Sequence, residues 1–201
     1  MEWLGEIPEG WKSKRVKYLF DNLDYRRIPL SSEERSELDQ IYPYYGASGV
    51  IDAVDRFIFD EDLVLVGEDG ANLILRNSPL AFIATGKYWV NNHAHILRPK
   101  GGSIGFWAQA LESFDFTLLV TGAAQPKLTA ENLASVALPT PTDSEQSTIA
   151  AFLTRETTKI DTLVRETQDA IELLMEHRSA LITATVTGKI NVEGHAPEAS
   201  A

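Results

Sequence analysis

The chain has 201 residues, 44% of them hydrophobic and 23% charged, and 29 acidic against 18 basic side chains give a formal net charge of −11. This length suffices to bury a core in one or two domains. The absence of cysteine excludes disulfides and thiolate metal sites, the lack of any apolar run of about 18 residues excludes a helix across a membrane, and the acid excess predicts weak non-specific affinity for nucleic acid.

Met1 to Glu6 is acidic and lacks the basic-then-apolar order of a secretory signal. With no cysteine, this fits a cytoplasmic location. A basic cluster follows, Lys12, Lys14, Arg15 and Lys17, then Arg26 and Arg27. Farther on, short β-type runs alternate with Gly, Pro, Asn and Asp: Phe57-Ile58-Phe59, Leu63-Val64-Leu65-Val66, Leu73-Ile74-Leu75 and His95-Ile96-Leu97. All 13 glycines but Gly188 and Gly194, and all nine prolines but Pro197, precede residue 143. The pattern predicts a mixed domain rich in short strands and turns. Asp69-Gly70, between two apolar runs, reads as a hairpin or tight turn.

Thr142 to Thr187 contains no Gly or Pro. Ser144 is the expected N-cap, with Glu145 and Gln146 in the first turn, and Gly188 is the expected stop. Apolar residues recur at helical spacing: Ile149, Phe152, Leu153, Ile160, Leu163, Val164, Ile171, Leu174, Leu181, Ile182 and Val186. Leu153, Ile160, Thr167, Leu174 and Leu181 stand a heptad apart and form one stripe. A helix of roughly 40 residues is about 60 Å long. Either it folds on its own domain, whole or broken in two, or it is a coiled-coil arm that needs a second helix. The arm is the expectation carried forward, because each exposed Leu or Ile costs ~1.5–3 kcal/mol. The fold class is therefore α+β: a strand-rich domain over 1–142, a long C-terminal coiled-coil-type helix over 143–190, and a flexible tail over 191–201.

Three stretches stand out together. The first is Trp3-Leu4-Gly5-Glu6-Ile7-Pro8-Glu9-Gly10-Trp11 followed by Arg15-Val16-Lys17-Tyr18-Leu19-Phe20. The second holds Tyr42-Pro43-Tyr44-Tyr45-Gly46-Ala47-Ser48-Gly49, Gly67-Glu68-Asp69-Gly70-Ala71-Asn72 and Val90-Asn91-Asn92-His93-Ala94-His95. The third holds Leu138-Pro139-Thr140-Pro141, Glu145-Gln146, Ile149-Ala150, Arg178-Ser179-Ala180-Leu181-Ile182 and Val186-Thr187-Gly188-Lys189-Ile190. Together they resemble the specificity subunit of type I restriction-modification systems, and the resemblance covers nearly the whole chain. It implies a target-recognition domain that reads double-stranded DNA and a spacer helix that docks methyltransferase subunits and a second copy. It also implies no catalysis and no cofactor on the chain itself. S-adenosylmethionine is expected on the partner methyltransferase, and a restriction subunit joins indirectly. Family members usually hold two recognition domains and two spacer helices, whereas this chain holds one of each. It resembles a half-length form that pairs as a homodimer and reads an inverted repeat, or else a fragment or one product of a split gene. The rival expectation is an interaction or regulatory module, or a remnant, that binds restriction-modification subunits without reading DNA.

Catalytic signatures are missing from the sequence: there is no nucleophile elbow, no dinucleotide fingerprint and no methyltransferase Asn-Pro-Pro-Tyr-type motif. Tyr44, Tyr45 and Ser48 stand at a Gly-bounded loop that either packs on a base or forms a packed turn. Asn91 and Asn92 can pair with adenine or pin a core loop. His93 and His95 fall on one side of a strand, but no third ligand accompanies them and no metal is expected. Glu68 and Asp69 repel phosphate, so the Gly67–Asn72 stretch is not a phosphate cradle. Lys12, Lys14, Arg26, Arg27, Arg76, Lys87, Arg98, Lys100 and Lys127 are candidate phosphate contacts, each alone a solvated surface charge. Gln125 and Lys127 share a loop before the helix. The expected DNA-binding set is Lys12, Lys14, Arg26, Arg27, Tyr44, Tyr45, Ser48, Arg76, Lys87, Tyr88, Asn91, Asn92, Gln125 and Lys127. The expected partner face of the helix is Leu153, Ile160, Leu163, Val164, Ile171, Leu174 and Leu181.

Overall fold

A computed structural model describes residues 5–122 and 125–192; Trp3-Leu4 of the opening motif and most of the expected tail lie outside them. In chain order the elements are β1 (Lys12–Arg15), α1 (Val16–Leu19), β2 (Phe20–Asn22), α2 (Ser32–Ser36), β3 (Tyr42–Gly46), β4 (Gly49–Val54), β5 (Phe59–Asp60), β6 (Leu63–Gly67), α3 (Asn72–Leu75), β7 (Ala81–Ala84), β8 (Lys87–Val90), β9 (Ala94–Pro99), α4 (Ile104–Glu112), α5 (Ala130–Ser135), β10 (Ala137–Thr140) and α6 (Asp143–Val186). The chain divides into two units, Met1–Ala151 and Phe152–Ala201.

The first unit is built around β6. Its apolar run is buried along its whole length, as expected of a strand covered on both faces. Val64 and Val66 face a cluster containing Phe106, Trp107 and Leu111 of α4 and Leu133 of α5. Leu63 and Leu65 face the opposite cluster, with Phe59, Tyr88, Val90, Ala94 and Ile96. The unit is therefore layered: helices, then the antiparallel sheet β2-β9-β6-β7, then the sheet β4-β3-β8-β5. In the second sheet β3 and β8 run parallel, with Tyr44 opposite Trp89. A small outer cluster of Tyr44, Val54 and Trp89 is capped by Leu30 and Leu38.

Three local expectations are corrected, one of them in part. Leu73-Ile74-Leu75 lies in α3 and not in a strand. The Asn72 side chain bonds both the carbonyl and the N–H of Ser78, which closes the segment as a helical turn. Only Leu73 is buried, while Ile74 and Leu75 are exposed. Asp69-Gly70 forms no hairpin and instead opens a turn, the other of the two readings: Gly70 donates to the Pro126 carbonyl at 3.1 Å and its own carbonyl accepts from Leu73. Of Phe57-Ile58-Phe59, only Phe59 belongs to a strand.

α6 starts at Asp143, and its cap is Thr142 rather than Ser144. The Thr142 N–H donates to Glu145 Oε2 at 2.9 Å and the Glu145 N–H to Thr142 Oγ1 at 3.4 Å, a reciprocal capping box. The first compact unit runs past the helix start because the opening turns of α6 pack into it. Gln146 is 1% exposed; its Oε1 accepts from Ser103 and its Nε2 donates to the Pro141 carbonyl. Ile149 and Ala150 pack on the helix-side core. At the far end Gly188 takes φ +75°, Gly188 donates to Thr185 and Lys189 to Ala184. These are the two bonds of a glycine-terminated helix, as expected.

From Phe152 to Val186 the helix is about 50 Å long at 1.5 Å per residue. Ile160, Leu163, Val164, Ile171, Leu174 and Leu181 of the expected partner face are exposed by 44% to 65%, and Leu153 is half-buried. The threonines are self-satisfied: Thr157, Thr158, Thr162 and Thr167 hydroxyls donate to the carbonyls four residues earlier, at 2.7–2.9 Å. Thr167 can therefore sit within an apolar seam without a stranded donor. No helix among the described residues is long and apolar enough to cross a membrane.

Candidate nucleic-acid interface

Four loops of the first unit meet at one rim. Gly46, Ala47, Ser48 and Ile51 come from the β3–β4 turn, Asp69 to Asn72 from the segment after β6, and Asn91 and His93 from the β8–β9 connection; together they line an open groove. The fourth segment, 125–127, joins through a bridge between Asp69 and Lys127 and the Gly70–Pro126 bond. Gly67 makes the convergence possible. A Cβ there would stand 2.8 Å from the Ala47 carbonyl oxygen, so only glycine lets the β3–β4 turn cross the end of β6.

Behind the rim lies a charged hub. Arg27 donates to Glu68 and to the carbonyl of Ala94 at 2.9 Å. Lys127 Nζ lies 3.0 Å from Glu68 Oε1. His95 Nδ1 is 2.6 Å from Asp24 Oδ2, and its Nε2 is 2.8 Å from the Leu128 carbonyl. Burial pushes the Glu68 carboxyl up, but the hydrogen bonds from Arg27 and Lys127 outweigh it and hold the group below its ordinary range. Asp24 behaves alike: burial raises it, and the bonds from His95, Asn22 and Ile96 pull it lower. Asp24, Glu68 and His95 are the one trio among the described residues close enough to hold a metal. Arg27 and Lys127 already supply positive charge there, so the donor set is that of an ion-pair network and not of a divalent cation site.

The sequence matches the model of a known family, the type I restriction modification DNA specificity domain, over residues 8–173. The chain belongs to this family. It is similar to the Haemophilus influenzae (strain ATCC 51907 / DSM 11121 / KW20 / Rd) protein S.HindORF215P, which carries the name of a type I restriction enzyme specificity subunit, with 33% identity over 112 residues, 55% of this chain and 29% of that one. Two solved structures share the fold. One is a type I restriction-modification S subunit from M. genitalium, with TM-score 0.61, 16% identity, and coverage of 79% of this chain and 42% of that one. The other comes from work on complex assembly and conformational transition of the type I system, with TM-score 0.66, 17% identity, and coverage of 90% and 46%. The chain thus spans less than half the length of each relative.

Within this specificity domain the expected site residues separate sharply. Ser48, Asn92, Gln125 and Lys127 are exposed at or beside the rim, and Tyr45 is half-buried against Phe82 and Tyr88. Tyr44 and Tyr88 do not serve as DNA contacts here, because they are 1% and 0% exposed. The Tyr44 hydroxyl accepts from the Leu30 N–H, and the Tyr88 hydroxyl donates to the Glu61 carbonyl. Asn91 is buried, and its Oδ1 accepts from the His93 N–H at 2.7 Å, so it shapes the loop instead of pairing with a base.

Several expected phosphate contacts are likewise engaged within the protein. Arg26 donates to the Ile58 carbonyl and lies over the Phe59 ring. Arg76 caps the α4 end through Glu112 and Phe114. Arg98 is held by Glu61 and Lys100 by Asp21, while Lys87 lies 4.0 Å from Asp60. Lys12 and Lys14 are exposed on β1. His93 and His95 do not share a site: His93 is exposed and pairs with Asp69, whereas His95 is buried. Asp24 and Ile51 were not singled out by their sequence context, since their importance comes only from loops distant in the chain.

Proposed function

We propose that this chain reads a DNA sequence for a type I restriction-modification complex and leaves the chemistry to its partners. The observation that supports this most is the single exposed rim of Ser48, Asn92, Gln125 and Lys127, drawn from separate loops and fixed from behind by a buried charged hub. Such a surface presents polar side chains to base edges without a nucleophile or metal of its own. The long helix with its exposed seam docks methyltransferase subunits and a second copy, so that two recognition domains read two half-sites. The methyltransferase binds S-adenosylmethionine, the restriction subunit joins the assembly indirectly, and the complex works in the cytoplasm.

The test is selection from a random double-stranded DNA pool by the chain bound to a type I methyltransferase. Enrichment of one sequence, reduced by Gln125→Ala and Lys127→Ala together, is the expected result. A complex that forms but enriches nothing points to the rival module that binds subunits without reading DNA.

The charge pattern gives a second expectation. Among the described residues of the first unit, Lys12, Lys14, Arg15 and Lys17 have no carboxylate within salt-bridge distance, while Arg26, Arg27, Arg35, Arg56, Arg76, Lys87, Arg98, Lys100 and Lys127 do. Those four cations are the ones free to replace counterions on phosphate. Changing all four to Gln is expected to flatten the plot of log affinity against log salt by about 0.9 for each phosphate that the variant no longer neutralises, with the selected sequence unchanged. An unaltered salt slope places the DNA elsewhere.

A further inference from the structure

His95 sits on β9 with 1% of its surface exposed, and both of its ring nitrogens face acceptors. The Leu128 carbonyl oxygen, 2.8 Å from Nε2, can only accept, so Nε2 carries a hydrogen. Asp24 is also surrounded by donors: its Oδ1 accepts the Ile96 N–H at 2.8 Å and its Oδ2 accepts Asn22 Nδ2 at 3.0 Å. An ionised carboxylate only accepts, so Nδ1, 2.6 Å away, carries a hydrogen too. A ring with two N–H groups is an imidazolium.

We infer that His95, as a buried imidazolium, is a positioning residue for DNA reading that pins the 125–128 segment, and with it Gln125 and Lys127, against β9. The inference rests on the reading given under Proposed function. The two carboxylates nearest the ring favour a positive His95. Glu68 Oε2 lies 3.8 Å from Nδ1, Arg27 bridges Glu68 and Asp24, Lys127 binds Glu68, and Asp69 pairs with His93 in the turn before β9. Asp24 and Glu68 thus stand 2.6 and 3.8 Å from Nδ1, and Arg27 and Lys127 approach through those same carboxylates.

The segment is also anchored by Leu128, which is buried in the helix-side core, and by the Lys127 bond to Glu68. Leu128 donates to the Glu68 carbonyl at 2.8 Å, Gly70 donates to Pro126 at 3.1 Å, and Thr121 and Lys127 bond each other. A neutral ring keeps one N–H only, so one of its two bonds becomes a lone pair facing an acceptor, and either the Leu128 or the Asp24 tie is lost.

The measurement is the affinity ratio of the full chain, in complex with its methyltransferase, for the selected duplex over a scrambled one. It runs from about pH 6 to about pH 9, where His titrates while carboxylates and arginines do not. In the parent the ratio is expected to fall roughly tenfold or more as pH rises, the effect of one charge-assisted bond. His95→Gln should give a low, pH-flat ratio, and His93→Gln should keep the fall. A flat parent ratio, or a fall that survives His95→Gln, overturns the inference. Nitrogen-15 NMR of the histidine rings in the isolated full chain covers the case in which His95→Gln does not fold. Two N–H signals for His95 at neutral pH, with the Leu128 amide shift following its titration, support the pin, and a single N–H overturns it. If the two signals are present and no duplex is preferred at any pH, the pin stands and the DNA reading itself fails.

Discussion

On the pairing proposed above, replacing Leu163 and Leu174 with glutamate is expected to turn a helix-paired dimer into a monomer. Both leucines are exposed in the single chain, by 61% and 65%, on a face that also holds Ile160, Val164 and Ile171. In a symmetric pair each substitution counts twice, so four buried leucines are removed. At ~1.5–3 kcal/mol each this amounts to about 6–12 kcal/mol, comparable with the whole association energy of a micromolar complex, about 8 kcal/mol. Charge placed in the seam adds a desolvation penalty. Sedimentation velocity of parent and variant is the check, together with helicity by circular dichroism, because an unpartnered helix of this composition is only marginally stable in water. A variant that sediments as a dimer like the parent shows that another surface holds the pair. A parent that stays monomeric assigns the seam to the methyltransferase alone.

The helix was legible because its signals are local. The seam follows a 3.6-residue period, and Gly188 marks the end by a backbone conformation that other residues resist. The cap was misplaced by two residues because Ser144 and Thr142 are both good capping residues, and only the Glu145 side chain reaching back to Thr142 decides between them. The recognition unit was legible in class and much less so in detail. Leu63 to Val66 reads as a buried strand from its continuous apolar run. Leu73 to Leu75 has the same composition and forms a helical turn, because Asn72 and Gly70 set the backbone locally. Charge was the least legible property. An arginine in a sequence looks like a phosphate contact, whereas Arg26, Arg27 and Arg76 are consumed by carbonyls and carboxylates from loops 32 to 67 residues away. No window of sequence contains that information, and the −11 net charge of the chain was the only hint that its carboxylates occupy many of its cations.

Arg27 turns this distinction into an experiment. As a phosphate contact, its removal would weaken DNA binding and leave the fold alone. In the structure its guanidinium binds Glu68, the carbonyls of Ala94 and Asn92, and the edge of Asp24, with 16% of its side chain exposed against 9% for Glu68. Arg27→Ala leaves the buried Glu68 carboxylate with Lys127 as its remaining cation and removes the donor to two carbonyls, and is expected to destabilise the unit by about 3 kcal/mol, a large part of a typical domain's roughly 5–15 kcal/mol. Lys127→Ala touches the same carboxylate from the exposed side and should cost less than about 1 kcal/mol, while impairing DNA selection. Urea unfolding of the two variants separates the roles. The same hub sets the acid limit of the fold. Glu68 and Asp24 titrate below their ordinary range in the folded state, so their stabilisation is complete above the unfolded values near about pH 4 and is lost as pH falls through the folded ones. The parent should therefore lose stability steeply below about pH 4, and Arg27→Ala should lose less across that window because much of the contribution is already gone. An Arg27→Ala chain as stable as the parent, yet unable to hold DNA, would return Arg27 to the binding surface and remove the hub as the support of the reading loops.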